Sequence, residues 1–250
     1  MKTYDREVSF RERFGDHALL RYRWTGEPPE PGQFVMARAA SAATLEPFLF
    51  RPFFAHDYSD GELSLLFEVR GRGTELLAEE DAKLLVSAPA GRGFVVRGQE
   101  PVALVGGGVW VSPLKLLSRR LSGLGVSHDV FLEIPSTAPK AYAGWIRENY
   151  PHAILVPTDG CAPSPQTVLS RAGDLARYGA VYASGPTGML DALKRASEGT
   201  VSVQLALRER MACASGSCYG CAVPVWDSGA RTYARACVEG PVFPAEVLAW

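Results

Sequence analysis

Four cysteines near the end of the chain carry the densest chemical signal. Cys213, Cys218, Cys221 and Cys237 follow the pattern C-x4-C-x2-C-x15-C, and all fall within 25 residues of a 250-residue chain whose first 160 residues hold no cysteine. An even scatter would suit thiols acting as small buried hydrophobes, whereas a cluster suits metal or redox work. Four thiolates can hold the two irons of a [2Fe–2S] cluster, and this spacing is the plant-type ferredoxin arrangement. The small residues Ala214-Ser215-Gly216-Ser217 let the loop wrap closely and aim backbone N–H groups at the sulfurs. A structural zinc site is the competing reading, but it more often shows two C-x2-C-like knuckles, and only one C-x2-C occurs.

Three weaker signals lie upstream. Arg51-Pro52-Phe53-Phe54 sets a cation beside aromatic side chains, just after an apolar stretch expected to be a strand. Gly71-Arg72-Gly73-Thr74 follows another strand and leads into a short helix, which would offer backbone N–H groups and a hydroxyl to a phosphate. Arg51 could pair with the same phosphate. Gly106-Gly107-Gly108 ends a buried strand before a helix, a turn that lets backbone approach a dinucleotide pyrophosphate without matching G-x-G-x-x-G. Each, taken alone, also reads as an ordinary turn or cap.

The elements that must position these residues separate near residue 98. Before it, short apolar stretches (18–24, 33–36, 63–69, 83–86) alternate with turn signals such as Pro31-Gly32 and Asp60-Gly61, as in a small antiparallel barrel. The one helix expected there runs from Thr74 to about Glu80. After it, strands at 102–105, 129–132, 153–156 and 180–183 alternate with helices opening at Ser112-Pro113-Leu114, near Ala141 and at Thr187. That rhythm implies a mostly parallel, doubly wound sheet. A loop-rich segment follows the stretch 201–207 and carries the cysteines. The expected division is a barrel over 1–98, an α/β domain over 99–207 and a cluster domain over 208–250.

Composition bounds the function. Hydrophobic residues make up 47% and charged residues 21%, with a formal net charge of −1. This is ordinary for a folded domain and gives nucleic-acid binding no electrostatic footprint. No apolar run reaches the roughly 18 residues that suggest a membrane helix. The opening Met-Lys-Thr-Tyr-Asp-Arg-Glu turns charged too early for a secretion signal, so a cytoplasmic location is expected.

Taken in order, these motifs resemble the iron–sulfur, FAD-containing electron-transfer subunit of class 1B dihydroorotate dehydrogenase, a branch of the ferredoxin–NADP⁺ reductase superfamily. The likeness runs nearly end to end, through Pro31-Gly32-Gln33-Phe34, Arg51-Pro52, Gly71-Arg72-Gly73-Thr74, Gly106-Gly107-Gly108, Ser184-Gly185-Pro186-Thr187-Gly188 and Glu209-Arg210-Met211-Ala212-Cys213. It ends with Cys237-Val238-Glu239-Gly240-Pro241-Val242-Phe243.

The resemblance implies an FAD barrel, a nicotinamide-binding α/β domain and a [2Fe–2S] domain on Cys213, Cys218, Cys221 and Cys237. FAD would lie on Arg51, Pro52, Phe53, Phe54, Phe67, Glu68, Val69, Gly73 and Thr74. NAD would lie on Gly106, Gly107, Gly108, Pro113, Ser184, Gly185 and Pro186. It also implies an FMN-containing catalytic subunit as partner, in a heterotetramer of two plus two, with electrons passing through cluster and FAD to NAD⁺. No side chain of this chain need act as acid or base. A related reductase serving ferredoxin or a hydrogenase-type complex, and a zinc-holding scaffold, are the alternatives.

Several departures from the family pattern fall on functional positions. Phe54 stands where a hydroxyl is usual, Trp110 where the last glycine of the turn is usual, and Ser184 where a cysteine is usual. Glu133-Ile134-Pro135-Ser136 replaces a Gly-Ala-Arg-Ser-like stretch, and Cys161 lies in an atypical loop. Three of these fall at the nicotinamide site, so weak nicotinamide binding and a protein acceptor are the expectation to test.

Overall fold

The computed structural model describes residues 1–40, 46–79, 83–96, 98, 100–158 and 173–250, and statements of absence below refer to these. Cys161 and the end of the helix expected at Glu80 lie outside them.

The first half forms two four-stranded antiparallel sheets. One takes β1 (Thr3–Arg6), β4 (Phe34–Ala40), β5 (Arg51–Phe54) and β8 (Lys83–Ser87) in the order β1-β8-β4-β5. The other takes β2 (Val8–Phe14), β3 (His17–Arg23), β6 (Asp57–Ser59) and β7 (Glu62–Glu68) in the order β2-β3-β7-β6. Side chains alternate across a strand, so Ala18, Leu20 and Tyr22 of β3 and Leu63, Leu65 and Phe67 of β7 point into the barrel core. Leu19 and Leu66, on the opposite face, pack against the α/β region. Helix α1 (Arg72–Ala78) follows β7, as the glycine-rich turn suggests.

Three details differ from the sequence reading. Arg51–Phe54 is itself a strand, with Phe54 opposite Phe34 and Arg51 opposite Ala37. The apolar stretch before it is not one: Phe48 and Leu49 are exposed and irregular. Strands β1 and β2 escape a hydrophobicity reading because their side chains are largely exposed or half-buried.

The second half is a six-stranded sheet in the order β11-β10-β9-β12-β13-β16. Its strands are β9 (Val102–Gly107), β10 (His128–Pro135), β11 (Ile154–Thr158), β12 (Ala180–Ser184), β13 (Ser202–Ala206) and β16 (Val242–Pro244). The first five run parallel and β16 closes the edge antiparallel. Helices α2 (Ser112–Gly123), α3 (Lys140–Asn149) and α4 (Thr187–Ser197) supply the crossovers that follow β9, β10 and β12. A parallel sheet covered on both faces buries every residue of its central strands. Accordingly Ala103 and Val105 of β9 join one apolar core while Val102 and Leu104 join the other. Leu114, Leu117 and Leu121 form the buried face of α2 that their spacing implies.

The cysteine segment is more ordered than a loop reading suggests. The hairpin β14 (Ala222–Asp227) and β15 (Ala230–Arg235) lies between Cys221 and Cys237, and β16 returns the chain to the central sheet. Among the described residues no helix is long and apolar enough to cross a membrane.

Candidate functional site: a cluster loop beside a flavin-shaped cleft

The four thiols fall into two pairs. Cys213 and Cys218 lie within hydrogen-bonding reach of one another on the outer side, and Cys221 and Cys237 do so on the inner side. Cys221 and Cys237 are buried in the core shared with β9, β12 and β13, while Cys218 is exposed. Among the described residues no three His, Cys, Asp or Glu side chains gather as a mononuclear ligand set. Two thiols at each of two centres is the donor set that two irons require.

Backbone geometry serves the sulfurs. Ala214 (φ 49°) and Tyr219 (φ 54°) occupy the left-handed region, an uncommon conformation for residues with a Cβ. Each follows a cysteine and turns the next amide back. Ser215 N lies 3.5 Å from Cys213 Sγ and Gly220 N 3.4 Å from Cys218 Sγ. The Ser215 amide holds the Cys213 thiol below its ordinary pKa, favouring the thiolate that binds metal.

Arg235 fastens the loop. Its guanidinium donates to Gly216 O at 3.1 Å, forks onto the Glu239 carboxylate and lies 5.2 Å from the Tyr219 ring centroid. Gly216 (φ 80°) admits this contact, since a Cβ there would stand 2.9 Å from Val238 and 3.0 Å from Arg235.

A cleft of about 610 Å³ runs from the barrel toward this segment, walled by Arg51, Pro52, Phe53, Glu68, Gly73, Thr74, Trp110 and Arg208–Arg210. A narrower apolar recess continues from it between Phe34, Phe53, Phe54, Phe67 and Trp110, and reaches Met211 and Pro241. Met211 is two residues from Cys213, so one cavity wall joins the aromatic recess to the cluster loop.

Six of the expected FAD residues, Arg51, Pro52, Phe53, Glu68, Gly73 and Thr74, line the wide cleft; Phe54 and Phe67 line the recess. Val69 lies instead in the barrel core, where it packs with Phe67 and Leu77. Arg51 crosses directly over Gly73, where a Cβ would stand 2.0 Å from its Cζ. The Thr74 hydroxyl is committed to its own turn: it accepts from Arg70 N and Gly71 N and donates to Gly71 O. The wide cleft, with aromatic side chains at its inner end and a cation- and amide-lined mouth, has the size and character a flavin dinucleotide needs, whose ring is apolar and whose pyrophosphate is anionic.

The expected nicotinamide residues gather at the carboxyl ends of β9 and β12, where the strand order reverses; open α/β sheets bind ligands at such points. Gly106 and Gly107 end β9, Gly108 opens a single 3₁₀ turn (Gly108–Val111), and Pro113 lies in the first turn of α2. Ser184 ends β12 with its hydroxyl buried and without a protein partner. Gly185 lies so close to Met189 that a Cβ would stand 1.9 Å from its Cε.

Several residues around these cavities carried no sequence signal. Arg208 stacks 5.1 Å from the Trp110 ring centroid. His17 stacks on Tyr142 at 3.9 Å, and Tyr142 Oη donates to Gly108 O at 2.6 Å. His56 Nδ1 donates to Ser112 O at 2.9 Å. The last two contacts tie barrel to α/β region and the glycine turn to α3, and only tertiary packing brings them together.

Comparison with known proteins agrees with this geometry. Residues 208–249 match the family described as the iron-sulfur cluster binding domain of dihydroorotate dehydrogenase B. The chain is 32% identical over 237 residues to the dihydroorotate dehydrogenase B (NAD(+)) electron transfer subunit of Caldanaerobacter subterraneus subsp. tengcongensis, covering 91% of this chain and 90% of that one. It is 36% identical to the corresponding subunit of Bacillus velezensis, covering 88% and 87%. Among solved structures, a NADH-dependent reduced ferredoxin-NADP oxidoreductase superposes with a TM-score of 0.77 at 25% identity, covering 98% of this chain and 90% of that one. Phthalate dioxygenase reductase shares the fold, with a TM-score of 0.62 at 16% identity over 94% of this chain and 77% of that one. With two cysteine pairs beside a flavin-shaped cleft and relatives of this identity along its length, the chain belongs to the family of dihydroorotate dehydrogenase B electron transfer subunits.

Proposed function

We propose that this chain is the electron-transfer subunit of a dihydroorotate dehydrogenase, joined to a catalytic subunit that holds FMN and oxidises dihydroorotate. The observation that carries the reading is the continuous wall from the aromatic recess through Met211 to the cysteine loop. When bound, the [2Fe–2S] cluster supplies one-electron steps, and FAD converts them to the two-electron chemistry of NAD⁺. Cys213, Cys218, Cys221 and Cys237 hold the cluster. Phe54 borders the flavin ring, with Phe53 and Phe67 packed behind it in the barrel core, while Arg51 and the amides around Gly73 meet its phosphates. Gly106–Gly108, Pro113 and Ser184–Pro186 border the nicotinamide. The chain's own groups set distance, orientation and water exclusion, and none transfers a proton.

The division into 1–98, 99–207 and 208–250, a cytoplasmic location and a two-plus-two assembly belong to the same reading. Tyr219 and Gly220, beside exposed Cys218, are the proposed contacts with the FMN subunit; Tyr219 is 56% exposed. The test is the visible spectrum of anaerobically purified protein before and after dithionite, with iron, sulfide and flavin assays. Flavin bands, a reducible shoulder and two irons per chain are expected. A colourless, zinc-containing protein would overturn the reading.

A further inference from the structure

The third cavity lies between the barrel and the glycine turn. It measures about 290 Å³ and is bordered by Asp16, His17, Glu68, Arg70, Gly107, Trp110, Glu133 and Tyr142. This is the low end of the roughly 300–1,000 Å³ that small-molecule sites span. Two side chains account for its character.

Trp110 follows Gly108 by two residues and projects from the 3₁₀ turn into the junction of all three cavities. Arg208 packs over its ring, so the indole is held from the side that faces the flavin cleft. A ligand that crosses from the glycine turn to the aromatic recess must displace this ring.

Glu133 pairs in register with Gly107 and packs against it; a Cβ on Gly107 would stand 3.0 Å from Glu133 Cβ and 3.4 Å from Oε2. The residue is 1% exposed, and neither carboxylate oxygen has a protein hydrogen-bond partner. The lining cation Arg70 is already engaged, 2.7 Å from Glu68. His17 Nδ1 lies 2.7 Å from Asp16. A pyrophosphate at the glycine turn would therefore meet an unpaired carboxylate where it needs an N–H donor or a cation.

We propose that Trp110 and Glu133 set the nicotinamide affinity of this chain and hold it low, the indole by occupying the crossing and the carboxylate by opposing the pyrophosphate. The inference rests on the electron-transfer reading above and specifies its acceptor site. Burial raises the Glu133 carboxyl from its ordinary value to about 7, so its charge can be removed within a workable pH range. The charged and titratable groups lining the cavity with it are Asp16 from the β2–β3 turn, His17 at the start of β3, Glu68 at the end of β7, Arg70 just beyond it, and Tyr142 from α3. Burial holds His17 below its ordinary value and Tyr142 above, which leaves both neutral at pH 7 to 8.

Calorimetric titration of NAD⁺, which cannot reduce the oxidised flavin, into the full chain carrying its flavin and cluster tests this. The wild type should bind more weakly than about 1 mM at pH 8. Trp110→Ala and Glu133→Gln should each tighten binding by about tenfold. Lowering the pH to 6 should tighten binding to the wild type but not to Glu133→Gln, a dependence that a purely steric role would not produce. Micromolar binding by the wild type would overturn the proposal. So would variants that keep the flavin spectrum and thermal midpoint yet bind no tighter. Glu133→Gln is isosteric and keeps the test open if Trp110→Ala fails to fold. Wild-type protein without flavin or iron would instead refute the electron-transfer reading, which separates the two failures.

Discussion

The cluster loop and the nicotinamide cleft treat their polar groups in opposite ways. In the loop, Ser215 N and Gly220 N already face sulfur, and Arg235 already satisfies Gly216 O and Glu239. On the nicotinamide side, Glu133, Ser184 and Thr158 lie toward the carboxyl ends of their strands with buried side-chain oxygens that have no protein partner. Leaving such a group unpaired costs about 1–3 kcal/mol each. The loop is built before its ligand arrives, whereas the cleft holds unmet polar groups and an indole in the way. One fold thus carries a preorganised electron port beside a nucleotide port that its own residues oppose.

The largest expected effect breaks the loop side of this contrast. Cys218→Ala removes one of two thiols at the outer centre and should abolish cluster incorporation, measured as loss of iron and sulfide. Flavin content should stay near the wild-type value, because no wall of the flavin cleft includes Cys218. Joint loss of both cofactors would mean that the cluster loop is needed to fold the cleft.

Next comes the flavin mouth. Gly73→Val places branched carbon where the Arg51 guanidinium lies, 2.0 Å from the new Cβ. Arg51 must move, and a charge-assisted phosphate contact worth about 1.5–3 kcal/mol goes with it. Flavin affinity should fall about tenfold to a hundredfold, read by fluorescence of released FAD, with iron content unchanged.

Why some of this was legible in sequence and some was not follows from where the information lies. That the four cysteines come together was readable because their spacing within one short segment leaves them little room to part. The parallel sheet was readable because doubly buried strands such as 102–105 are apolar throughout. Strands β1 and β2 were not, since their half-exposed faces lack a clean alternation. The loop before Arg51 misled for the converse reason: Phe48 and Leu49 are apolar yet 67% and 57% exposed. Thr74 was legible as a turn residue, but the commitment of its hydroxyl to Arg70 N, Gly71 N and Gly71 O arises only in the folded turn. Glu133 stood out as an unusual residue, yet its burial against Gly107 is a register fact that no local window contains.

The cleft side can be sharpened through stability. With its carboxyl raised by burial from 4.5 to about 7, folded Glu133 keeps a proton that the unfolded chain has released between those values. Stability therefore falls as pH rises through that window and is level above it. Glu133→Gln removes the titration. Relative to wild type, the variant should gain up to about 3 kcal/mol at pH 8 over its difference at pH 5, measured by urea denaturation at both pH values. A pH-independent difference would place the carboxylate in contact with water and weaken the contrast drawn above.

The smallest effect tests what makes the loop preorganised. Arg235 combines a forked contact with Glu239, a bond to Gly216 O and the Tyr219 ring, and a lysine could keep the charge but not the fork. Because Arg235 and Glu239 are about one-third exposed, their ion pair is screened by solvent and the loss should be modest. Arg235→Lys should then leave iron content at purification unchanged but speed iron release to a chelator. If release is not faster, the left-handed turns at Ala214 and Tyr219 hold the sulfurs unaided. If iron is missing from the start, the Arg235 fork is a condition of building the loop rather than a brace upon it.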